Sequence, residues 1–190
     1  MTTELPLLIE PADLADHLAA PDLLIIDLCK DQVYDQAHVP GAIHLDHQRL
    51  LAGTQPAPGL LPDDETLSAL FSELGLTPDT WVVAYDDEGG GWAGRLLWTL
   101  EAIGHKRYSY LNGGIHGWLA EDLSTSTERT EAEPGDYQVG EHDPRTSVDL
   151  DHVLAHYQDP SVVIWDARSE EEFAGVRAFA QKAGHIPGAA

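Results

Sequence analysis

Residues Thr80–Arg95 read TWVVAYDDEGGGWAGR, and the fold turns on this stretch. Val82, Val83, Ala84 and Tyr85 form an apolar run of strand length. Asp86–Gly91 is too rich in glycine for either regular structure and predicts a loop. From Trp92 the period changes, and Trp92, Leu96, Leu97 and Leu100 fall on one helical face. Strand, tight loop and helix in that order build anion sites in α/β proteins. Loop amides and the helix N-terminus bring partial positive charge to one point. A nucleophile as first loop residue would gain from that field. That residue is Asp86, a carboxylate and a poor nucleophile for most chemistry.

The same alternation extends outward. Gly104 ends the helix, Tyr108–Leu111 reads as a strand, and Asn112-Gly113-Gly114 turns into a helix near Ile115–Glu121. Toward the N-terminus, Asp63 or Asp64 caps a helix Glu65–Leu74 that stops at Gly75, after a Gly/Pro-rich loop over Ala52–Pro62. Strands are predicted at Leu7–Ile9, Leu23–Leu28 and Ala42–Leu45, with helices at Pro11–Ala19 and Asp31–Ala37. The continuous run LLIIDL suits a strand buried on both faces. Together these predict an α/β fold: a parallel sheet flanked by helices.

Leu123–Pro144 is mainly Ser, Thr, Glu, Gly and Pro without periodicity, and reads as an inter-domain linker. Beyond it a helix (Val148–Tyr157), a strand (Ser161–Trp165) and a helix start (Ser169–Phe173) repeat the opening of the chain. LIID at Leu24–Asp27 followed by HVPGA at His38–Ala42 matches VIWD at Val163–Asp166 followed by HIPGA at His185–Ala189. The second copy spaces Asp and His by 19 residues against 11 in the first. The expected division is 1–122, a linker 123–145, and 146–190 as the N-terminal part of a second, truncated copy. The offset between His38 and His185 is 147 residues, which carries Asp86 to position 233, outside the sequence.

Composition narrows the function classes. With 33 acidic against 10 basic residues the formal charge is −23, which argues against nucleic acid and anionic membranes as partners. There is no apolar run of about 18 residues to span a bilayer, and Met1–Glu10 lacks the basic start of a secretory signal. The single cysteine, Cys29, excludes internal disulfides and cysteine-based zinc sites and fits a reducing cytoplasm.

Asp27 before a short helix, then HVPGA, then DDEGGGWAGR, then LNGGIHGW at Leu111–Trp118, resembles a rhodanese domain. Two in tandem resemble the two-domain rhodaneses, or thiosulfate sulfurtransferases. The resemblance implies a rhodanese-like three-layer fold and transfer of sulfane sulfur from thiosulfate to cyanide or a thiol through a cysteine persulfide, without metal or organic cofactor. It places the cysteine in the second domain and makes the first an inactive copy with Asp in its place, as Asp86 is here. By this reading no catalytic residue lies in the chain, and the chain alone turns nothing over. Trp92 matches an aromatic facing the inter-domain cleft. Mercaptopyruvate-using relatives carry an arginine four residues after the arginine of the second DxR. DAR ends at Arg168 and the position four on is Glu172, so thiosulfate is the expected donor and mercaptopyruvate the alternative. A non-catalytic binding or regulatory module and a phosphatase-type enzyme with a longer cysteine loop are the other readings. Oligomeric state is not legible.

Further side chains carry weaker signals. Gly89-x-Gly91-x-x-Gly94 formally fits a dinucleotide fingerprint, but Asp86, Asp87 and Glu88 crowd its mouth and Asn112 stands where the ribose acid belongs. Cys29 lines the cleft or is a small buried hydrophobe. Arg95 pairs with Asp86 or a nearby carboxylate, or is solvated. Arg168 faces the cleft, or pairs with Glu170 or Glu171. His152 and His156 have metal-pair spacing but no third ligand. His38 and His185 recur in the turn, where a structural role is expected. An open half-domain predicts apolar exposure and association of the C-terminal part.

Overall fold

The computed structural model describes residues 4–190; the start of the Met1–Glu10 stretch and of the 1–122 domain lies outside them. The chain divides into two compact units. Unit 1 runs to Gly53 and resumes over Pro58–Asp143, and unit 2 is Thr54–Ala57 with Pro144–Ala190.

Unit 1 is a five-stranded sheet, ordered β1-β5-β4-β2-β3. Its strands are β1 (Leu8–Ile9), β2 (Leu23–Asp27), β3 (Ile43–His44), β4 (Trp81–Tyr85) and β5 (Tyr108–Leu111). Every pairing is parallel. The helices are α1 (Pro11–Ala15), α2 (Asp31–Gln36), α3 (Asp64–Glu73), α4 (Gly91–Ala102) and α5 (Gly114–Ala120), with a 3-10 turn at His47–Leu50 that sequence patterning missed.

The central strand explains the layering. Alternate residues of β4 point to opposite faces. Val82 and Ala84 join a core with Leu67, Leu70 and Phe71 of α3 and Leu96, Leu97 and Leu100 of α4. Trp81, Val83 and Tyr85 join the other core with Leu14 of α1 and Ile115 and Trp118 of α5. Both faces of β4 are buried, so its sequence carries no polar alternation. Asp63 caps α3 by accepting the Thr66 amide at 2.8 Å, as the sequence suggested.

Residues 123–143 hold no helix or strand, yet they are strapped to unit 1. Ser126 bridges to His38 with both backbone hydrogen bonds, and the Gly135 amide donates to the Ser72 carbonyl at 2.7 Å. Tyr137 is buried in the core, edge-on to Phe71 and His105.

Unit 2 holds α6 (Leu150–His156) and α7 (Glu170–Phe173). The strand expected at Ser161–Trp165 does not form. The backbone there closes on a turn and on Ala190: the Val162 amide donates to the Asp159 carbonyl, the Ala190 amide to Ile164, and the Asp166 amide to Ala190. A strand is defined by a paired neighbour, and apolar sequence alone does not supply one. Val163 and Trp165 are accordingly 82% and 84% exposed.

Candidate functional site

The loop after β4 has the predicted form, and its interior is filled by its own first residue. Asp86 is 1% exposed. Its Oδ1 accepts the amides of Glu88 at 3.0 Å and Gly90 at 2.8 Å. Its Oδ2 accepts those of Trp92 at 2.9 Å and Ala93 at 3.0 Å, in the first turn of α4. Four converging N–H groups and a helix N-terminus make an anion cradle, and the carboxylate is its resident anion.

Two glycines make this geometry possible. Gly90 has φ of 93°, and a Cβ there would lie 2.9 Å from the Tyr110 hydroxyl. Gly114 has φ of 57°, and a Cβ would clash with the Asp86 carbonyl oxygen. That carbonyl accepts the Ile115 amide at 3.2 Å. DDEGGGWAGR and LNGGIHGW, separate in sequence, therefore meet at Asp86.

Around the loop mouth, Lys30 Nζ lies 2.6 Å from Glu88 and 3.8 Å from Asp87. Glu88 also accepts from the Trp92 indole at 3.2 Å, and with Lys30 foremost these partners hold its carboxyl below the usual carboxylate range. Trp92 stacks on His47 with centroids 3.7 Å apart. Sequence reasoning singled out Trp92 but not Lys30, Glu88 or His47 as its surroundings. The Lys30 and His47 contacts are long-range and leave no periodic trace, whereas Glu88 stands four residues before Trp92.

Arg95 does not pair with Asp86. Its guanidinium donates to the carbonyls of Gly59 at 2.9 Å, Leu50 at 2.8 Å and Leu60 at 3.2 Å, and it lies 4.6 Å over the Trp98 ring. It clasps the Pro-rich loop, because the four amides already satisfy the Asp86 carboxylate. Cys29 is 3% exposed. Burial foremost, then the charges of Asp27, Asp87 and Asp86, push its thiol far above the ordinary value. Those influences favour the protonated thiol over the thiolate, the form that acts as nucleophile.

Arg168 pairs with neither Glu170 nor Glu171. It forks onto Asp166, Nε to Oδ1 at 2.8 Å and Nη2 to Oδ2 at 2.5 Å, and donates to the Gly184 carbonyl at 3.0 Å. With Lys182 and His185 it lines an open pocket of unit 2. His152 is exposed and His156 half-buried, and the two rings stack on each other; among the described residues no group of three His, Cys, Asp or Glu is arranged to hold a metal. No helix of the described residues is long and apolar enough to cross a membrane.

A five-stranded parallel sheet with an amide cradle at the β4–α4 turn defines the class of protein. Residues 10–121 match the rhodanese-like domain. The chain belongs to the rhodanese-like family. It is 48% identical over 185 residues to a thiosulfate sulfurtransferase of Azotobacter vinelandii, covering 97% of this chain and 68% of that protein. A thiosulfate sulfurtransferase of Pseudomonas aeruginosa is 44% identical over 187 residues, covering 98% and 69%. Among solved structures, SseA of Escherichia coli, described as a 3-mercaptopyruvate sulfotransferase, superposes with a TM-score of 0.86 at 30% identity, over 97% of this chain and 74% of that one.

Proposed function

We propose that this chain is part of a cytoplasmic thiosulfate sulfurtransferase in which unit 1 is the non-catalytic copy. The observation that carries the reading is the filled cradle: the position where a thiolate would work holds a carboxylate bonded to all four amides. The single cysteine is buried elsewhere. The persulfide-forming cysteine is assigned to the loop that the repeat offset puts at position 233, in a second domain beginning at residue 146. There a thiolate attacks the outer sulfur of thiosulfate, the S–S bond breaks, sulfite leaves with the electron pair, and the enzyme persulfide passes its sulfur to cyanide or a thiol.

Local geometry supports the repeat. The Cys29 amide donates to Asp27 Oδ1 at 2.7 Å, and the Arg168 amide to Asp166 Oδ1 at 3.1 Å. His38 stacks on Tyr34 at 3.9 Å and His185 on Phe173 at 3.8 Å, and each histidine Nδ1 lies 2.7 Å from the carbonyl of its aromatic partner. The extra residues of the second copy fall between Phe173 and His185.

Thiosulfate is favoured over mercaptopyruvate because Glu172, which would repel a substrate carboxylate, is fixed in the capping box with Ser169. The test is thiocyanate formation from thiosulfate and cyanide. The 190-residue chain should give none, and a parent polypeptide carrying the second-loop cysteine should turn over thiosulfate well ahead of mercaptopyruvate. Equal use of both donors would remove the donor assignment. A parent without that cysteine would make the protein a non-catalytic binding module.

A further inference from the structure

Three neighbouring strands of unit 1 end in ionisable side chains at one level. In the sheet register Asp27 of β2 stands beside Tyr85 of β4 on one side and His44 of β3 on the other. Asp27 is fully buried; its Oδ1 accepts the Cys29 amide at 2.7 Å, and its Oδ2 has no hydrogen-bond partner. The Tyr85 hydroxyl accepts the Val39 amide at 3.1 Å. His44 closes the row. Its Nδ1 lies 3.9 Å from Asp27 Oδ1, and its Nε2 lies 3.1 Å from Asp31 Oδ1 at the start of α2.

Both ring nitrogens of His44 therefore face a carboxylate. A neutral imidazole can donate its one N–H to Asp31; the imidazolium adds a positive charge that faces Asp27 at ion-pair distance, where Nδ1 itself makes no hydrogen bond. The contacts continue outward. Asp31 also meets Arg129 at 3.4 Å, Arg129 reaches Asp35 at 2.7 Å, and Arg129 belongs to the strap 123–143. The Tyr34 ring of α2 stacks with His44 at 4.9 Å and lies 5.4 Å from the Arg129 guanidinium, while its hydroxyl accepts the Thr130 amide at 3.2 Å.

We infer that His44 is a pH-sensitive latch: charged, it ties the ends of β2 and β3 to α2 and, through Asp31 and Arg129, to the strap; neutral, it releases that tie. The groups facing it are Asp27 from β2, Asp31 and Tyr34 from α2, and Arg129 from the strap, with Tyr85 and Cys29 behind Asp27. Asp27 is the strongest influence and raises the His44 imidazole above its ordinary value; burial opposes it, Asp31 adds to it and Arg129 subtracts. The folded state thus holds the proton more tightly than the unfolded chain. The contribution is complete below the unfolded value of 6.5 and is lost as pH rises through the higher folded value. Release leaves the Asp27 carboxylate buried without a counter-charge.

The experiment is urea unfolding of the 190-residue chain and of His44→Gln and Asp31→Asn across roughly pH 5 to 8. The ratio of the wild-type folding constant to that of His44→Gln should be largest at the acid end. It should fall by up to about tenfold per pH unit once pH exceeds the unfolded value. Asp31→Asn should flatten that dependence in part. Hydrogen exchange at the Thr130 amide, corrected for intrinsic rate, should quicken on raising pH in the wild type and not in His44→Gln. Parallel pH profiles of wild type and His44→Gln would overturn the latch. Should the variants fail to fold, titration of the His44 ring by NMR in the wild type decides. A midpoint above the free-histidine value is expected, and one at or below it overturns the proposal.

Discussion

Tyr34 with His38 and Phe173 with His185 are the same local structure in two environments. Each pair stacks nearly flat, and each histidine leans on its partner's carbonyl. In unit 1 Tyr34 and His38 are buried, and the strap supplies Glu128's carbonyl to His38 Nε2 at 3.1 Å and Thr130's amide to Tyr34. In unit 2 His185 is exposed and Phe173 half-buried. Neighbouring sequence dictates the turn; long-range contacts decide whether it is sealed. The energetic weight of one motif should therefore differ sharply between its copies.

The sharpest separation comes from truncating the aromatic partner. Tyr34→Ala should cost unit 1 about 3–5 kcal/mol, the usual loss for a large buried ring. Phe173→Ala should cost within about 1 kcal/mol, because little burial is removed. Urea unfolding of both variants checks this, and similar losses would break the contrast.

Asp86→Ala comes next. It leaves four amides without their acceptor, at an expected cost of about 2–4 kcal/mol after water reaches the outer ones. Asp86→Asn keeps one oxygen acceptor and should cost about half of that. Gly114→Ala combines a left-handed φ with a clash on the Asp86 carbonyl and should cost about 1–3 kcal/mol. Thermal unfolding should place Asp86→Ala furthest below the wild type, with Asp86→Asn and Gly114→Ala in between.

The smallest effect belongs to unit 2. The Arg168 fork holds the Asp166 carboxyl down at about 2. The folded value is depressed, so this contribution is present above the unfolded value of 3.8 and disappears as pH falls toward 2. Arg168→Ala should return Asp166 toward 3.8 in a carboxyl-carbon NMR titration while leaving the neutral-pH unfolding midpoint nearly unchanged.

The frame of unit 1 was legible because its signals are local. Strand runs, helical spacing, the Asp63 cap and the glycine loop each report on a few neighbouring residues. Ser161–Trp165 misled because apolar β-formers describe a buried surface without naming the neighbour that buries it. The strap eluded pattern reading for the opposite reason. Its order comes from single long-range anchors, such as Tyr137 in the core and Ser126 on His38, set in a sequence without period. At the site, the loop and the odd carboxylate were readable, but the use of that carboxylate was not. Nor was the true partner set of Arg95, three backbone carbonyls that carry no residue signature.

The central claim is that unit 1 holds its own anion and offers no working thiol. Intact-mass analysis of the 190-residue chain after incubation with thiosulfate tests it most directly. The account predicts the unmodified mass, with Cys29 still a buried thiol. A sulfur atom gained on Cys29 would contradict it.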